Sequence, residues 1–100
     1  MHYVYVLRCR NGKYYVGETS NMRNRYNEHM SGGRRAALWT RKYRPISIAW
    51  VGLTNNHLLE LAKTIEYMKR HGPNNVRGAK HSQWNLHPNT YERYLRKSGG

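Results

Sequence analysis

Tyr3-Val4-Tyr5-Val6-Leu7-Arg8-Cys9-Arg10-Asn11-Gly12-Lys13-Tyr14-Tyr15-Val16-Gly17 is the stretch that decides the architecture. Its opening residues are aromatic, β-branched or leucine, which favours an extended strand. Asn11-Gly12 is a turn pair, because both residues tolerate positive φ. Lys13 to Gly17 then returns as a second strand, so the chain is expected to open on a β-hairpin. The length of the loop matters. A two-residue turn at Asn11-Gly12 sets Arg10 against Lys13 and places Tyr5 and Tyr15 on opposite faces. A three-residue loop, Arg10 to Gly12 with Gly12 left-handed, sets Leu7 against Tyr15 and brings Tyr5 and Tyr15 to one face. The residues themselves leave both registers open.

Working outward, Thr19-Ser20-Asn21 offers N-cap side chains for a helix over about Met22 to Met30, stopped by Ser31-Gly32-Gly33. Arg34 to Arg44 is a basic connection containing Trp39 and Tyr43. Pro45 leads into a third strand, Ile46 to Val51. Thr54 to Asn56 offers another cap, and Leu58 to Arg70 reads as the longest helix, ended by Gly72-Pro73. Asn74 to Pro88 reads as irregular. Tyr91, Tyr94 and Leu95 have the spacing of a short C-terminal helix, and Ser98-Gly99-Gly100 is expected to fray. The order β-β-α-β-α predicts an α+β fold, with a three-stranded antiparallel sheet flanked by helices. Residues 1–100 are expected to form one domain, with 71–100 as a C-terminal extension.

Eighteen Lys and Arg face five acids in the 100 residues, for a formal net charge of +13. A field of that sign attracts polyanions, and nucleic acid is the usual target. The acids are Glu18, Glu28, Glu60, Glu66 and Glu92, with no Asp. Two-metal sites clamp their ions with several carboxylates, so any metal chemistry here is expected to use one ion and one carboxylate. Cys9 is the only cysteine, which excludes an intrachain disulfide and a cysteine-based zinc site. The histidines have no ligand spacing. No signal peptide or membrane span is legible, and an intracellular protein is expected.

Helical arithmetic singles out a few side chains. With Leu58 at 0° and steps of ~100°, Leu61, Ala62, Ile65 and Met68 share one face of the long helix. Glu66 then falls about 80° away, on the flank of that face, and Glu60 about 200° away, toward solvent. A carboxylate at a core edge is costly without a partner. The position also suits an ordinary flank glutamate paired with Lys63 or Arg70. On the first helix Met22, Tyr26 and Met30 form an apolar stripe bordered by Arg25 and His29. A half-buried Arg beside a His suits a phosphate site; an Arg snorkelling from the core edge has the same spacing. Arg34, Arg35, Arg41, Lys42 and Arg44, interleaved with Trp39 and Tyr43, suit a surface that tracks a nucleic-acid backbone. They equally suit a solvated charged connection.

Taken together these residues resemble a family. Tyr3-Val4-Tyr5 followed by Tyr15-Val16-Gly17 is similar to the two motifs that name the GIY-YIG nucleases. Gly17-x-Thr19-x-x-Met22-x-x-Arg25-x-x-x-His29 resembles that family's first helix with its catalytic arginine. Thr40-Arg41-Lys42-Tyr43-Arg44-Pro45 before a strand is similar to the small, single-domain branch, and Ala62-x-x-x-Glu66 resembles the site of the metal-binding glutamate. The likeness covers about residues 3–70. Tyr3 departs from the glycine of the name motif, Val4 and Val16 replace isoleucine, and Glu18 stands where some relatives carry Lys. Asn74 or Asn75 loosely matches a family asparagine, and Asn75-Val76-Arg77-Gly78 suits either a backbone-contacting loop or a plain turn.

The resemblance implies a metal-dependent DNA endonuclease that leaves 5′-phosphate and 3′-hydroxyl ends. Glu66 would hold Mg²⁺, with Mn²⁺ as a substitute. Tyr5 would orient or deprotonate the attacking water, which requires a nearby cation to lower its pKa from about 10. Tyr15 would position water or phosphate, Arg25 would neutralise the phosphorane, and His29 would bind phosphate or assist proton transfer. Arg34, Arg35, Trp39, Arg41, Lys42, Arg44, Asn75 and Arg77 are the candidates for contact with DNA. Larger relatives attach a recognition domain; here specificity is expected to be weak or to come from a partner protein, a homodimer or DNA shape. Two other readings stand beside this one: a catalytically inactive nucleic-acid-binding module with the same fold, and an RNA-directed nuclease.

Overall fold

In a computed structural model, which describes residues 1–33, 36–56 and 58–78, the hairpin takes the longer loop. Strands β1 (His2–Cys9) and β2 (Tyr14–Thr19) pair antiparallel with Leu7 opposite Tyr15 and Tyr5 opposite Gly17. The Cys9 amide donates to the Lys13 carbonyl at 2.7 Å, closing a loop of Arg10, Asn11 and Gly12. Asn11 (φ 63°) and Gly12 (φ 71°) are both left-handed, a conformation open to these two residue types. This loop selects the register that puts Tyr5 and Tyr15 on one face of the sheet.

The sheet is larger than the expected three antiparallel strands. Strand β3 (Pro45–Thr54) pairs antiparallel with the other side of β1, and β4 (Val76–Gly78) runs parallel to β2, giving the order β3-β1-β2-β4. The fold is α+β, but its sheet is mixed and four-stranded. β4 lies inside the stretch read as irregular. Three residues are too few to display a period-two pattern. β3 also runs past Val51, because Gly52, Leu53 and Thr54 continue the ladder opposite Val4, Tyr3 and His2.

The helices are α1 (Met22–Ser31), α2 (Leu38–Lys42) and α3 (Leu59–His71). Asn21 caps α1 by accepting from the Asn24 amide at 3.1 Å, and left-handed Gly32 (φ 67°) ends it. The short α2 falls within the basic connection and was not expected. Gly72 (φ 93°) and Pro73 stop α3 as the sequence predicts. The C-terminal helix expected around Tyr91 to Leu95 lies outside the described residues.

Alternation along the strands divides the interior. Val4, Val6, Val16 and Val76 face α3 and pack with its Leu61, Ile65, Tyr67 and Met68. Tyr5, Leu7, Cys9 and Tyr15 face the other way, toward Met22 and Tyr26 of α1 and toward Ala37, Trp39 and Tyr43 at α2. On this second face Ile48 and Val51 of β3, opposite Leu7 and Tyr5, stay exposed, so the cover is partial.

Candidate active site

Two tyrosines, an arginine and a histidine converge on the second face. Tyr5 and Tyr15 are buried with ring centroids 6.4 Å apart, and the His29 ring lies 5.8 Å from the first and 5.0 Å from the second. Tyr5 comes from β1 and Tyr15 from β2. His29 is the buried residue of α1, at the turn above Arg25. The Tyr5 hydroxyl sits 2.9 Å from His29 Nε2, and His29 Nδ1 sits 2.9 Å from Thr40 Oγ1 of α2. Thr40, also fully buried, donates to the Ala37 carbonyl at 2.9 Å. Gly17 makes the packing possible: a Cβ there would collide with the hydroxyl and ring of Tyr5, its cross-strand partner.

The electrostatics follow from burial first. Desolvation pushes the Tyr5 phenol up to about 12; a hydrogen bond and the positive charge of Arg25 pull it back down, while Glu60 and Glu28 push it higher. Tyr15 is raised for the same leading reason, with the Tyr5 and Glu60 charges adding and Arg25 opposing. The sequence reading required a cation to lower the Tyr5 phenol below its ordinary value. Arg25 acts in that direction, but burial outweighs it. Burial, then the Arg25 charge, lowers His29 to about 4, so its imidazole is neutral at physiological pH. For Arg25, burial works against the charge, but the bond to Tyr5 and the charges of Tyr5, Tyr15 and Glu28 outweigh it and raise its pKa. Arg25 also lies 3.6 Å from Glu28, one turn along α1.

The two acids of α3 exchange the environments expected of them. Glu60, expected to point to solvent, is 1% exposed in the first turn of α3, and its charge is felt by both Tyr5 and Tyr15. Glu66 has a side chain 42% exposed and pairs with Lys63 at 3.2 Å and Arg70 at 3.8 Å. Glu66 is the flank glutamate of the alternative reading, and the tyrosine its charge raises is Tyr67 of its own helix. The buried face of α3 has a different centre from its leucine stripe. Leu58 precedes the helix and Ala62 is only half-buried, whereas Thr64 and Tyr67, left out of the apolar count, are buried. The buried face is therefore centred roughly 80° from where the apolar stripe suggested, which brings Glu60 in and turns Glu66 out.

Other predicted positions separate into two groups. Arg41 and Lys42 are exposed on α2, with Lys42 over the Tyr43 ring at 5.3 Å. The rest are engaged within the protein. Trp39 donates its indole N–H to the Tyr14 carbonyl at 3.0 Å and is flanked by Arg77 at 4.8 Å. Arg77 donates to the Pro73 and Val76 carbonyls, both at 2.9 Å. Asn75 accepts from Lys13 and donates to the His71 carbonyl, both at 2.7 Å. Arg44 donates to the Met30 carbonyl. Arg34 and Arg35 lie outside the described residues. Among the described residues, no three His, Cys, Asp or Glu side chains gather as a metal-binding group, and no helix is long and apolar enough to cross a membrane.

Residues 1–75 match the GIY-YIG catalytic domain. The chain belongs to the GIY-YIG family. Its domain is of a nuclease type, and the family is in general one of endonucleases. Among curated proteins it is similar to UPF0213 proteins, a small GIY-YIG family. One from Streptococcus pneumoniae is 44% identical over 48 residues, 48% of this chain and 46% of the relative. One from Oceanobacillus iheyensis is 40% identical over 50 residues, 50% of this chain and 56% of the relative. One from Halalkalibacterium halodurans is 28% identical over 71 residues, 69% of this chain and 73% of the relative. The chain spans about half the length of the first of these relatives. No solved structure matches it.

Proposed function

We propose that this GIY-YIG domain hydrolyses phosphodiester bonds in DNA with one divalent cation, Mg²⁺ or Mn²⁺, held by Glu60. What supports this reading is a buried tyrosine pair beside a buried histidine, with the positive charge of Arg25 on α1 and the negative charge of the buried Glu60 on α3 acting on both phenols. A phosphoryl-transfer site needs a cation, a hydroxyl that orients water and a carboxylate together. Glu60 fits a metal that takes one protein carboxylate and completes its octahedron with water and phosphate. Glu66 stands apart from it, with a side chain 42% exposed among Lys63 and Arg70. When bound, the ion would cancel the Glu60 charge beside the phenols and polarise the phosphate.

Arg25 binds the phosphate and neutralises charge as the phosphorane forms. Tyr5 and Tyr15 are 0% and 2% exposed, so Arg25 must move off the phenols toward the incoming phosphate before water reaches them. Tyr5 then accepts a hydrogen bond from the attacking water and orients it; the water oxygen bonds to phosphorus and its proton passes to solvent. The P–O3′ bond breaks, and the 3′-oxygen leaves with the electron pair and takes a proton from solvent. Tyr15 holds the water in line. The charge of +13, with Arg41 and Lys42 exposed on α2, supplies sequence-independent attraction to the DNA backbone.

Nicking of supercoiled plasmid tests the reading. It should require Mg²⁺ or Mn²⁺ and fall by at least ~10³-fold in Glu60→Gln and in Arg25→Ala. Tight DNA binding without cleavage under either ion would overturn it in favour of a binding module. Cleavage of RNA but not DNA would replace the substrate.

A further inference from the structure

The hydrogen bonds behind Tyr5 form a chain whose two ends are chemically fixed. At one end stands Arg25, which has donors and no acceptor, so the Tyr5 oxygen accepts from it. At the other end stands the Ala37 carbonyl, which has no proton to give, so Thr40 donates to it. Between them lie two contacts of 2.9 Å, Tyr5 hydroxyl to His29 Nε2 and His29 Nδ1 to Thr40 Oγ1. Each hydroxyl has one proton. With Thr40 spending its proton on Ala37, its oxygen must accept from His29, which places the imidazole proton on Nδ1. Nε2 is then a bare lone pair, and Tyr5 donates to it. The opposite polarity would point two donors, Arg25 and Nε2–H, at the Tyr5 oxygen. It would also leave the Tyr5 proton without this acceptor.

We infer that Thr40 is a positioning residue for the reaction proposed above: it locks His29 in the Nδ1–H tautomer, so that Nε2 accepts the hydrogen bond of the Tyr5 hydroxyl and the Tyr5 oxygen keeps its lone pair for Arg25 and the attacking water. The lock fixes the direction of the Tyr5 hydroxyl before water arrives. It also removes His29 from the list of phosphate ligands, since both ring nitrogens are engaged inside a buried chain. Thr40 is well placed for the task. It is fully buried, and the residue sits on α2, whose neighbour Trp39 is pinned to β2 through the Tyr14 carbonyl.

The inference rests on the nuclease reading for its consequence but not for its test. Long-range ¹H–¹⁵N spectra of the imidazole should show His29 as the Nδ1–H tautomer in the native chain and in Thr40→Ser. In Thr40→Val the acceptor is gone, and the ring should switch to Nε2–H and donate to Tyr5. Nicking kcat should then fall by ~10²-fold or more in Thr40→Val, with KM for DNA little changed, and return to within a few-fold of native in Thr40→Ser. An Nε2–H ring in the native chain overturns the inference, as does a Thr40→Val chain that keeps both tautomer and kcat. A native chain that cuts nothing would bring down the nuclease reading while leaving the tautomer result to stand or fall by itself.

Discussion

One set of strands builds two interiors, and they differ in kind. Toward α3, alternate residues of β1 and β2 present Val4, Val6 and Val16 to Leu61, Ile65 and Met68, a mostly aliphatic contact. Toward α1 and α2, the intervening residues present Tyr5 and Tyr15 to His29 and Thr40, a buried polar chain. Aliphatic packing has no preferred partner beyond shape, whereas a buried hydroxyl must find a hydrogen bond or lose stability. The first interior therefore carries cohesion, and the second fixes where individual protons lie. Glu60, in the first turn of α3 yet felt by both phenols, links the two.

The sharpest way to separate the interiors is acid. His29 is held at about 4 in the fold against an ordinary 6.5, so the folded state refuses a proton that the unfolded chain accepts. Its contribution is complete above pH ~6.5 and is lost as pH falls toward ~4, by roughly 3 kcal/mol in all. Urea melts of the native chain and of His29→Gln between pH ~7 and ~4.5 should diverge, with the native chain losing stability more steeply. Parallel pH dependence in the two proteins would mean that the imidazole is not protected and that the polar interior is looser than its hydrogen bonds indicate.

The same division explains what the sequence discloses. The hairpin, α1 and α3 are legible because local signals mark them: Asn11-Gly12 for the turn, Asn21 for a cap, and Gly72-Pro73 for a stop. The aliphatic interior is legible because alternation and helical spacing report burial directly. The polar interior is harder. Whether Tyr5 and Tyr15 share a face depends on one extra loop residue, and both Asn11 and Gly12 tolerate either turn. Glu60 looks like a solvent residue because it falls about 200° from Leu58, and that reference shifts once Thr64 and Tyr67, left out of an apolar count, prove buried. Thr40 opens the Thr40–Pro45 stretch that resembles the small branch of the family, but nothing in that stretch names its partner, because His29 is met only where α2 meets α1. β4 is three residues long, and its strand character comes from pairing with β2.

A smaller effect tests the aliphatic side. Val6 is 0% exposed and faces α3 between Val4 and Val16. Val6→Ala removes two methyl groups from a packed site and should cost about 2 kcal/mol of stability. Nicking per folded molecule should stay within ~2-fold of native, because no polar contact of Tyr5 or His29 runs through Val6. A melt by circular dichroism beside a nicking assay at full folding reads both quantities. Activity lost without unfolding would mean that the interiors are mechanically coupled through β1.

The smallest expected effect is the most pointed, because it sets two glutamates of one helix against each other. Glu66 pairs with Lys63 and Arg70 on a side chain 42% exposed, and such pairs are worth ~0.5 kcal/mol after screening by solvent. Glu66→Gln should therefore shift the urea midpoint barely beyond error and leave nicking within ~2-fold of native. Glu60→Gln changes the same functional group by the same single atom, so helix propensity and charge count differ little between the two variants. Only location distinguishes them: Glu60 is buried and its charge acts on Tyr5 and Tyr15, whereas Glu66 is 42% exposed between two cations. If Glu66→Gln abolished nicking while Glu60→Gln spared it, the metal would belong where the motif spacing put it. The buried glutamate would then be a structural charge that compensates Arg25, and the polar interior would lose its claim to the chemistry.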